Sequence, residues 1–140
     1  MAGGITMDPV IVFEPPRESR KIKGLVVTVD EPGVFGEGGA HPGRSHESVL
    51  DEKEARDLEA ALSYQSDTAS RWLKNNPGHH TEVMFQSRDD FRITLIQFNQ
   101  ETALVATSGA VQSASETIPM ALLPELQSKL RDAIATLDKN

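Results

Sequence analysis

Histidines are the residues of this chain best suited to bind a metal or to exchange a proton near neutral pH. His41 and His46 lie in the glycine-rich stretch "GVFGEGGAHPGRSHES", which runs from Gly33 to Ser48, and Glu47 is close enough in sequence to join them. Histidines spaced this way in a glycine-rich segment have no defined geometry, and His79-His80 fits an exposed turn. We keep His41 and His46 as metal candidates and predict no cofactor.

The same stretch carries glycines that suit a phosphate-binding loop and the residue types of a hydrolase triad. A phosphate loop leads directly into a helix and often ends in a Lys-Ser/Thr pair, and neither feature follows Gly39. Ser45, His46 and Glu47 are adjacent, whereas a triad is assembled from distant parts of a chain. The sequence therefore favours a protein that is not an enzyme. The residues predicted to form a loop that contacts a ligand or partner are Gly36, Gly38, Gly39 and Arg44.

Charge disfavours most nucleic-acid partners. The chain has 14 basic and 21 acidic residues, a formal net charge of −7, and such a surface repels phosphate backbones. The local exception is "RESRKIK", which is either a candidate anion patch or a solvated strand edge protected by its charge. Its cations are Arg17, Arg20, Lys21 and Lys23. The acidic residues Glu52, Glu54, Asp57 and Glu59 fit the solvated face of a helix better than paired catalytic carboxylates.

Composition narrows the class of protein further. The chain has 140 residues and no cysteine, which excludes disulfides, zinc-thiolate sites, iron–sulfur clusters and thiol nucleophiles. Its length fits one domain over residues 1–140, with 1–8 flexible and 33–46 a mobile glycine-rich loop. The start has no signal-peptide pattern, and no apolar run is long enough to span a bilayer. We predict a cytoplasmic protein.

Two amphipathic helices are predicted. Asp51 with Glu54 forms a capping box, and an apolar stripe follows until "NNPG" ends the helix. The polar "SYQSDT" in its middle predicts a bend or a loosened turn. Trp72 is expected to anchor the core, and the alternative is a partly exposed ring that serves an interface. The second helix is expected to start between Met120 and Leu123, with Pro124 in its first turn.

The rest of the chain has the pattern of short antiparallel strands. "PVIVFEPP" predicts an edge strand or an extended arm because prolines bound it, and Leu25 to Val29 is predicted to be a strand covered on both faces. Four β-type runs separated by turn residues follow the first helix, and Phe91 to Phe98 is expected to be central. The fold class is therefore α+β: an antiparallel β-meander sheet packed by two amphipathic helices, in the order β-β-(β)-α-β-β-β-β-α.

An internal duplication is one interpretation of the two helices. Aligning residues 50–62 with 118–130 matches Leu50 with Ile118, Asp57 with Glu125, Leu58 with Leu126 and Leu62 with Leu130. Shared helix patterning explains the same matches, and both interpretations stay open.

Three functions are compatible with these patterns. The first is a small non-catalytic binding or assembly module, a homodimer whose apolar strand faces are completed by a protein partner. The second follows from layout, since the strand meander and closing helix from Thr81 to Leu137 resemble the PC4 and Whirly single-stranded-DNA-binding proteins. That resemblance implies that Arg17, Arg20, Lys21, Lys23, Arg88 and Arg92 gather on one face. The third is a metal-binding protein that uses the histidines of the glycine-rich stretch.

Overall fold

The structure is a computed structural model that describes residues 4–14, 17–36, 39–76, 78–99, 101–111 and 113–140. For residues 14, 17–20, 34–36 and 41 it describes the backbone only. The strands in these ranges are β1 (Ile5–Glu14), β2 (Arg17–Glu31), β3 (Val34–Gly36), β4 (Gly39–His41), β5 (Arg44–Asp51), β6 (Thr81–Gln86), β7 (Phe91–Phe98), β8 (Glu101–Ser108) and β9 (Ala114–Ile118). The helices are α1 (Glu52–Thr68) and α2 (Leu123–Asp138).

All strand pairs are antiparallel, and they form two main sheets. The first sheet has the order β1-β2-β5 and the second β6-β7-β8-β9, while β3 and β4 form a separate hairpin. The predicted α+β class is confirmed, the element order is roughly as predicted, and β7 is central in the second sheet as expected. The β3–β4 hairpin and the division into two main sheets are not predicted from the sequence. The strands form two main sheets rather than one continuous meander, because α1 follows β5 directly and separates it from β6. β5 and β6 are therefore not paired.

One apolar core lies between the sheets and the helices. Leu25, Val27 and Val29 of β2 are fully buried, while Val26 and Thr28 between them are only partly buried. The prediction that this strand is covered on both faces is therefore wrong, since both helices pack on one side of the sheet. The core also takes in fully buried residues of α1, β7, β8, β9 and α2: Leu58, Leu62, Phe91, Ile93, Leu104, Ile118, Leu126 and Leu130.

The helix boundaries follow the predicted signals. The Asp51 carboxylate accepts a hydrogen bond from the Glu54 N–H at 2.8 Å, and the Glu54 carboxylate accepts from the Asp51 N–H at 3.3 Å. A π-helical turn at Ala69–Leu73 follows the polar segment in which a loosened turn is predicted. A 3₁₀ turn at Met120–Leu122 leads into α2, which has Pro124 in its first turn.

Trp72 is a correction to the sequence analysis. It lies in the π-helical turn and is 49% exposed, and the core position at this end of the helix belongs to Leu73. Its indole N–H donates to the Thr81 hydroxyl at 3.1 Å. The extra residue in the π turn rotates the helix face, which explains why a regular helical spacing predicts Trp72 in the core.

The two halves of the chain share a strand register. Leu50 near the end of β5 pairs with Leu25, and Ile118 at the end of β9 pairs with Leu104. All four side chains are fully buried. The aligned helix positions match in burial too, as Leu58, Leu62, Leu126 and Leu130 are all inaccessible. Duplication itself stays a prediction.

Candidate functional site

The outer face of the first sheet carries a cluster of exposed aliphatic side chains. Side chains alternate along a strand, and the buried residues fix which positions point away from the core. Pairing in the ladders then brings the outward positions together in rows, because Val12 lies opposite Ile22 and Val26 opposite Val49. We call this surface the valine face. It consists of Val10, Val12, Ile22, Val26 and Val49.

The valine face is a contiguous group of apolar side chains, three of which are at least half exposed. Val12 is 50% exposed, Ile22 57% and Val49 52%. Burying each of these half-exposed side chains is worth about 1 kcal/mol. Contiguous exposed apolar groups of this kind mark interaction surfaces in soluble proteins.

A groove of about 370 Å³ runs between the valine face and the turn that joins β6 to β7. The Asp89 carboxylate holds this turn against the sheet by accepting from the Val49 N–H at 2.8 Å. The Arg88 guanidinium pairs with the Asp51 carboxylate, and its backbone N–H donates to Glu54 at 2.8 Å. These bonds fix one wall of the groove on the start of α1.

Acidic side chains surround the valine face. The charged residues that point outward from this sheet, among side chains the structure describes, are Asp8, Asp30, Glu47 and Asp51. The first three of these are exposed. The Arg88 cation at the groove is matched by Asp51 and Glu54. Among the side chains that the structure describes, the face therefore has an apolar centre and acidic residues along its rim.

The candidate anion patch is only partly described. The Lys23 ammonium donates to the Leu137 carbonyl at the end of α2 at 3.1 Å and lies 3.8 Å from Glu52. Lys21 lies 5.6 Å from the centre of the Phe13 ring. The side chains of Arg17 and Arg20 lie outside the described part. Lys23 therefore stabilises a helix end, where a cation is favoured.

The glycine-rich stretch contains the hairpin of β3 and β4. Gly36 lies opposite Gly39, and Gly39 has a φ of 102°, which favours glycine. Gly38 lies outside the described residues. Arg44 begins β5 and lines a cleft of about 650 Å³ together with Glu31 and Glu116. The mobility of this stretch and its role in binding stay predictions.

His46 takes part in a polar relay between the two sheets. Its Nδ1 lies 2.9 Å from the Ser108 Oγ, which lies 2.5 Å from the Ser48 Oγ. The Ser48 hydroxyl donates to the Asp89 carbonyl oxygen at 3.1 Å. That order makes Ser108 the donor to Ser48 and places the proton of the imidazole on Nδ1.

This relay does not form a hydrolytic site. Both serine side chains are fully buried, so neither hydroxyl meets a substrate. The other metal candidate, His41, has a side chain outside the described part, and His80 pairs with Glu82 at 3.1 Å. Within the described ranges, no three side chains of histidine, cysteine, aspartate or glutamate come close enough to share a metal ion.

Comparison with known proteins gives this surface no precedent. No protein-family model and no curated protein matches the chain. In the part of the chain that the structure describes, neither helix combines the length and apolar composition of a bilayer crossing. The function therefore has to be argued from the surfaces themselves.

Sequence reasoning missed the valine face. Val10 and Val12 are two residues apart in "PVIVF" and therefore point to the same side of β1. Ile22 and Val26 are spaced by an even number of residues in β2 and share one side in the same way. The even spacing of these apolar residues is a signal for an apolar outer face. Because β2 has apolar residues at both odd and even positions, however, its sequence favours a strand that is covered on both faces. Only the position of the helices distinguishes the two arrangements.

Proposed function

We propose that this protein is a non-catalytic module that binds a protein partner through the valine face. The observation that carries the proposal is the cluster of Val12, Ile22 and Val49, each at least half exposed on one open sheet face. The partner it fits has an apolar contact surface with a basic rim. A sheet face or an amphipathic helix of that composition would pack on these strands.

The acidic residues around the valine face favour a basic protein partner over a second copy of this chain or a nucleic acid. Asp8, Asp30 and Glu47 lie around the apolar centre, so a second copy of this chain would bring like charges together across the interface. A phosphate backbone meets the same repulsion, which disfavours the single-stranded nucleic-acid alternative. A basic partner gains attraction at the rim and burial at the centre.

Binding of designed peptides tests this. The probe is an amphipathic peptide built from leucine and lysine, and its control is the same peptide with glutamate in place of lysine. Isothermal titration is expected to detect the lysine peptide with an affinity that falls as salt rises, because the rim attraction is screened. The glutamate peptide is expected not to bind.

A matched pair of variants locates the site. Val12→Asn with Val49→Asn removes apolar area from the valine face and is expected to abolish binding of the lysine peptide. Val111→Asn changes a side chain that is 80% exposed elsewhere and is expected to have no effect. Equal binding of both peptides, or binding that survives the double substitution, would contradict the proposal.

A further inference from the structure

Three of the four edges of the main sheets carry a group that blocks the addition of another strand. Pro9 lacks an N–H in the middle of the edge strand β1. The outward N–H of Val49 in β5 is bound by Asp89, and the N–H of Ser115 in β9 donates to Glu31 at 3.3 Å. Such devices prevent edge-to-edge association. The remaining edge strand is β6.

The backbone of β6 presents unused hydrogen-bonding groups on its outer side. The Ser87 N–H donates to the Phe91 carbonyl at 2.8 Å, which fixes the alternation of the β6–β7 ladder. The backbone groups of Phe85 and Val83 therefore bond to β7, as those of Ser87 do. The N–H and C=O groups of Glu82, Met84 and Gln86 point away from β7. No described residue bonds to these outward N–H groups.

Helix α1 packs on the inner face of the sheet, beneath β6 and β7. The Gln65 side-chain amide donates to the Val83 carbonyl at 2.8 Å, and Trp72 reaches Thr81 near the start of β6. At the other end, Asp57 and Phe85 line a shared cleft of about 470 Å³. The helix therefore runs antiparallel to β6 over the length of the strand.

Exposed apolar side chains flank the outer edge of β6, which we call the seam. Met84 is 58% exposed on the strand, while Tyr64 is 65% and Trp72 49% exposed on the helix. Tyr64 lies on the side of α1 away from α2, because α2 contacts the opposite side through the ion pair of Arg131 with Glu59. An open edge with apolar flanks suits an added strand.

We propose that the strand that adds to β6 is the β6 strand of a second copy of this chain. In an antiparallel pairing centred on Met84, each outward N–H of one copy meets a carbonyl of the other. Glu82 then faces Gln86 at both ends of the seam, and Val83 faces Phe85 on the inner side. The strand is complementary to itself, and the two sheets become one continuous sheet.

Charge selects this register. Sliding the strands until Glu82 faces Glu82 places two carboxylates directly opposite each other, which is destabilising in a sheet. Centring on Met84 avoids that clash and uses all three outward residues. The seam is separate from the valine face, so this assembly leaves the proposed partner surface free.

The mass of the protein in solution tests the assembly. Light scattering after size exclusion is expected to give twice the 15.3 kDa chain mass, falling towards the single-chain mass on dilution. Met84→Pro removes an outward N–H that the β6–β7 ladder does not use, and it is expected to give a folded monomer. Thr117→Pro removes an outward N–H from β9 and is expected to leave the mass unchanged.

A charge exchange at Gln86 tests the register. Gln86→Lys places a cation opposite Glu82 and is expected to tighten the dimer, while Gln86→Glu is expected to weaken it. Two symmetric pairs predict a change of roughly 2- to 30-fold in the dissociation constant in each direction. Amide exchange at Met84 is expected to slow as the protein concentration rises.

Several outcomes would overturn this inference. One is a monomer at millimolar concentration, and another is a dimer that tolerates Met84→Pro. A third is dissociation caused by Val12→Asn with Val49→Asn alone, because that result assigns the contact between copies to the valine face. Peptide binding by a monomeric Met84→Pro variant would leave the proposed partner surface intact while the seam is lost.

Discussion

The Nδ1 atom of His46 in β5 lies 2.9 Å from the hydroxyl oxygen of Ser108 in β8. No backbone ladder joins the first sheet to the second in the described part of the chain, so this side-chain bond is one of the polar links between them. Ser108 also bonds to Ser48, and both serines are fully buried. The two sheets are therefore linked by a short chain of hydrogen bonds that runs from the partly exposed His46 to the two buried serines.

Replacing Ser108 with alanine is expected to destabilise the fold by about 1 to 3 kcal/mol. The change removes the hydrogen-bond partner of His46 and of the fully buried Ser48 hydroxyl. Urea unfolding followed by circular dichroism measures the loss. Ser63→Ala on the exposed side of α1 is the control and is expected to change stability by less than about 0.5 kcal/mol. A loss of that small size for Ser108→Ala would argue against a structural relay.

Gly109 and Gly39 form a matched pair for testing how tightly His46 is packed. Gly109 has a φ of 98°, and a Cβ there would lie 2.8 Å from the His46 ring. Gly39 has a φ of 102°, with no atom within 4 Å of a Cβ. Both alanine substitutions carry the strain of a positive φ, about 1 kcal/mol. Gly109→Ala is expected to cost distinctly more in the same unfolding measurement, and equal costs would mean that the ring moves freely.

The cap of α1 is expected to depend on the Asp51 oxygen rather than on its charge. Asp51→Ala removes the acceptor of the Glu54 N–H and is expected to cost about 0.5 to 2 kcal/mol. Asp51→Asn keeps an acceptor and loses only a solvent-exposed pair with Arg88, so its cost is expected to stay below about 1 kcal/mol. Thermal unfolding of both variants compares them. A larger loss for the asparagine variant would assign the stabilisation to the ion pair.

Local signals in the sequence predict much of the fold. Asp51 and Glu54 mark a helix start, because a capping box needs only residues three apart, and Pro124 marks the next start in the same way. Phe91 to Phe98 is predicted to be central because apolar residues stand at both parities of the strand. These features depend on neighbours along the chain, so a single sequence is sufficient to find them.

Local sequence signals do not predict features that depend on contacts between distant parts of the chain. Whether Val26 and Val49 are covered depends on which side of the sheet the helices pack, and alternation alone does not determine it. The relay of His46 with Ser108 joins residues from two strands far apart in sequence. The open edge of β6 is evident only once Asp89 and Glu31 are seen to cover the edges of other strands.

The pKa of Lys53 is expected to depend on Asp57. A hydrogen bond from the ammonium to the Asp57 carboxylate at 2.8 Å, together with the attraction of that charge, raises the pKa above its ordinary value of 10.5. Because the shift is upward, the pair favours the folded state below pH 10.5 and loses that contribution as the pH rises through the folded-state pKa.

Titration by NMR of the Lys53 side chain measures this effect. Asp57→Asn is expected to return the pKa towards 10.5, whereas Asp67→Asn further along α1 is expected to leave it raised. A raised value that persists after Asp57→Asn would mean that another group causes the shift.

Pro9 is expected to keep the edge of β1 from associating with other chains. The Asp30 N–H donates to the Gly4 carbonyl at 2.7 Å, so alternation along β1 places Pro9 among the residues whose backbone faces outward. Pro9→Thr therefore adds an unpaired N–H without disturbing the ladder. The free energy of unfolding of the Pro9→Thr variant is expected to differ from that of the unaltered protein by less than about 1 kcal/mol. Its light scattering at raised temperature is expected to increase faster, because the variant aggregates through this edge. Pro119→Thr lies outside the strands and is the control. Equal aggregation rates for the two variants would show that another group protects this edge.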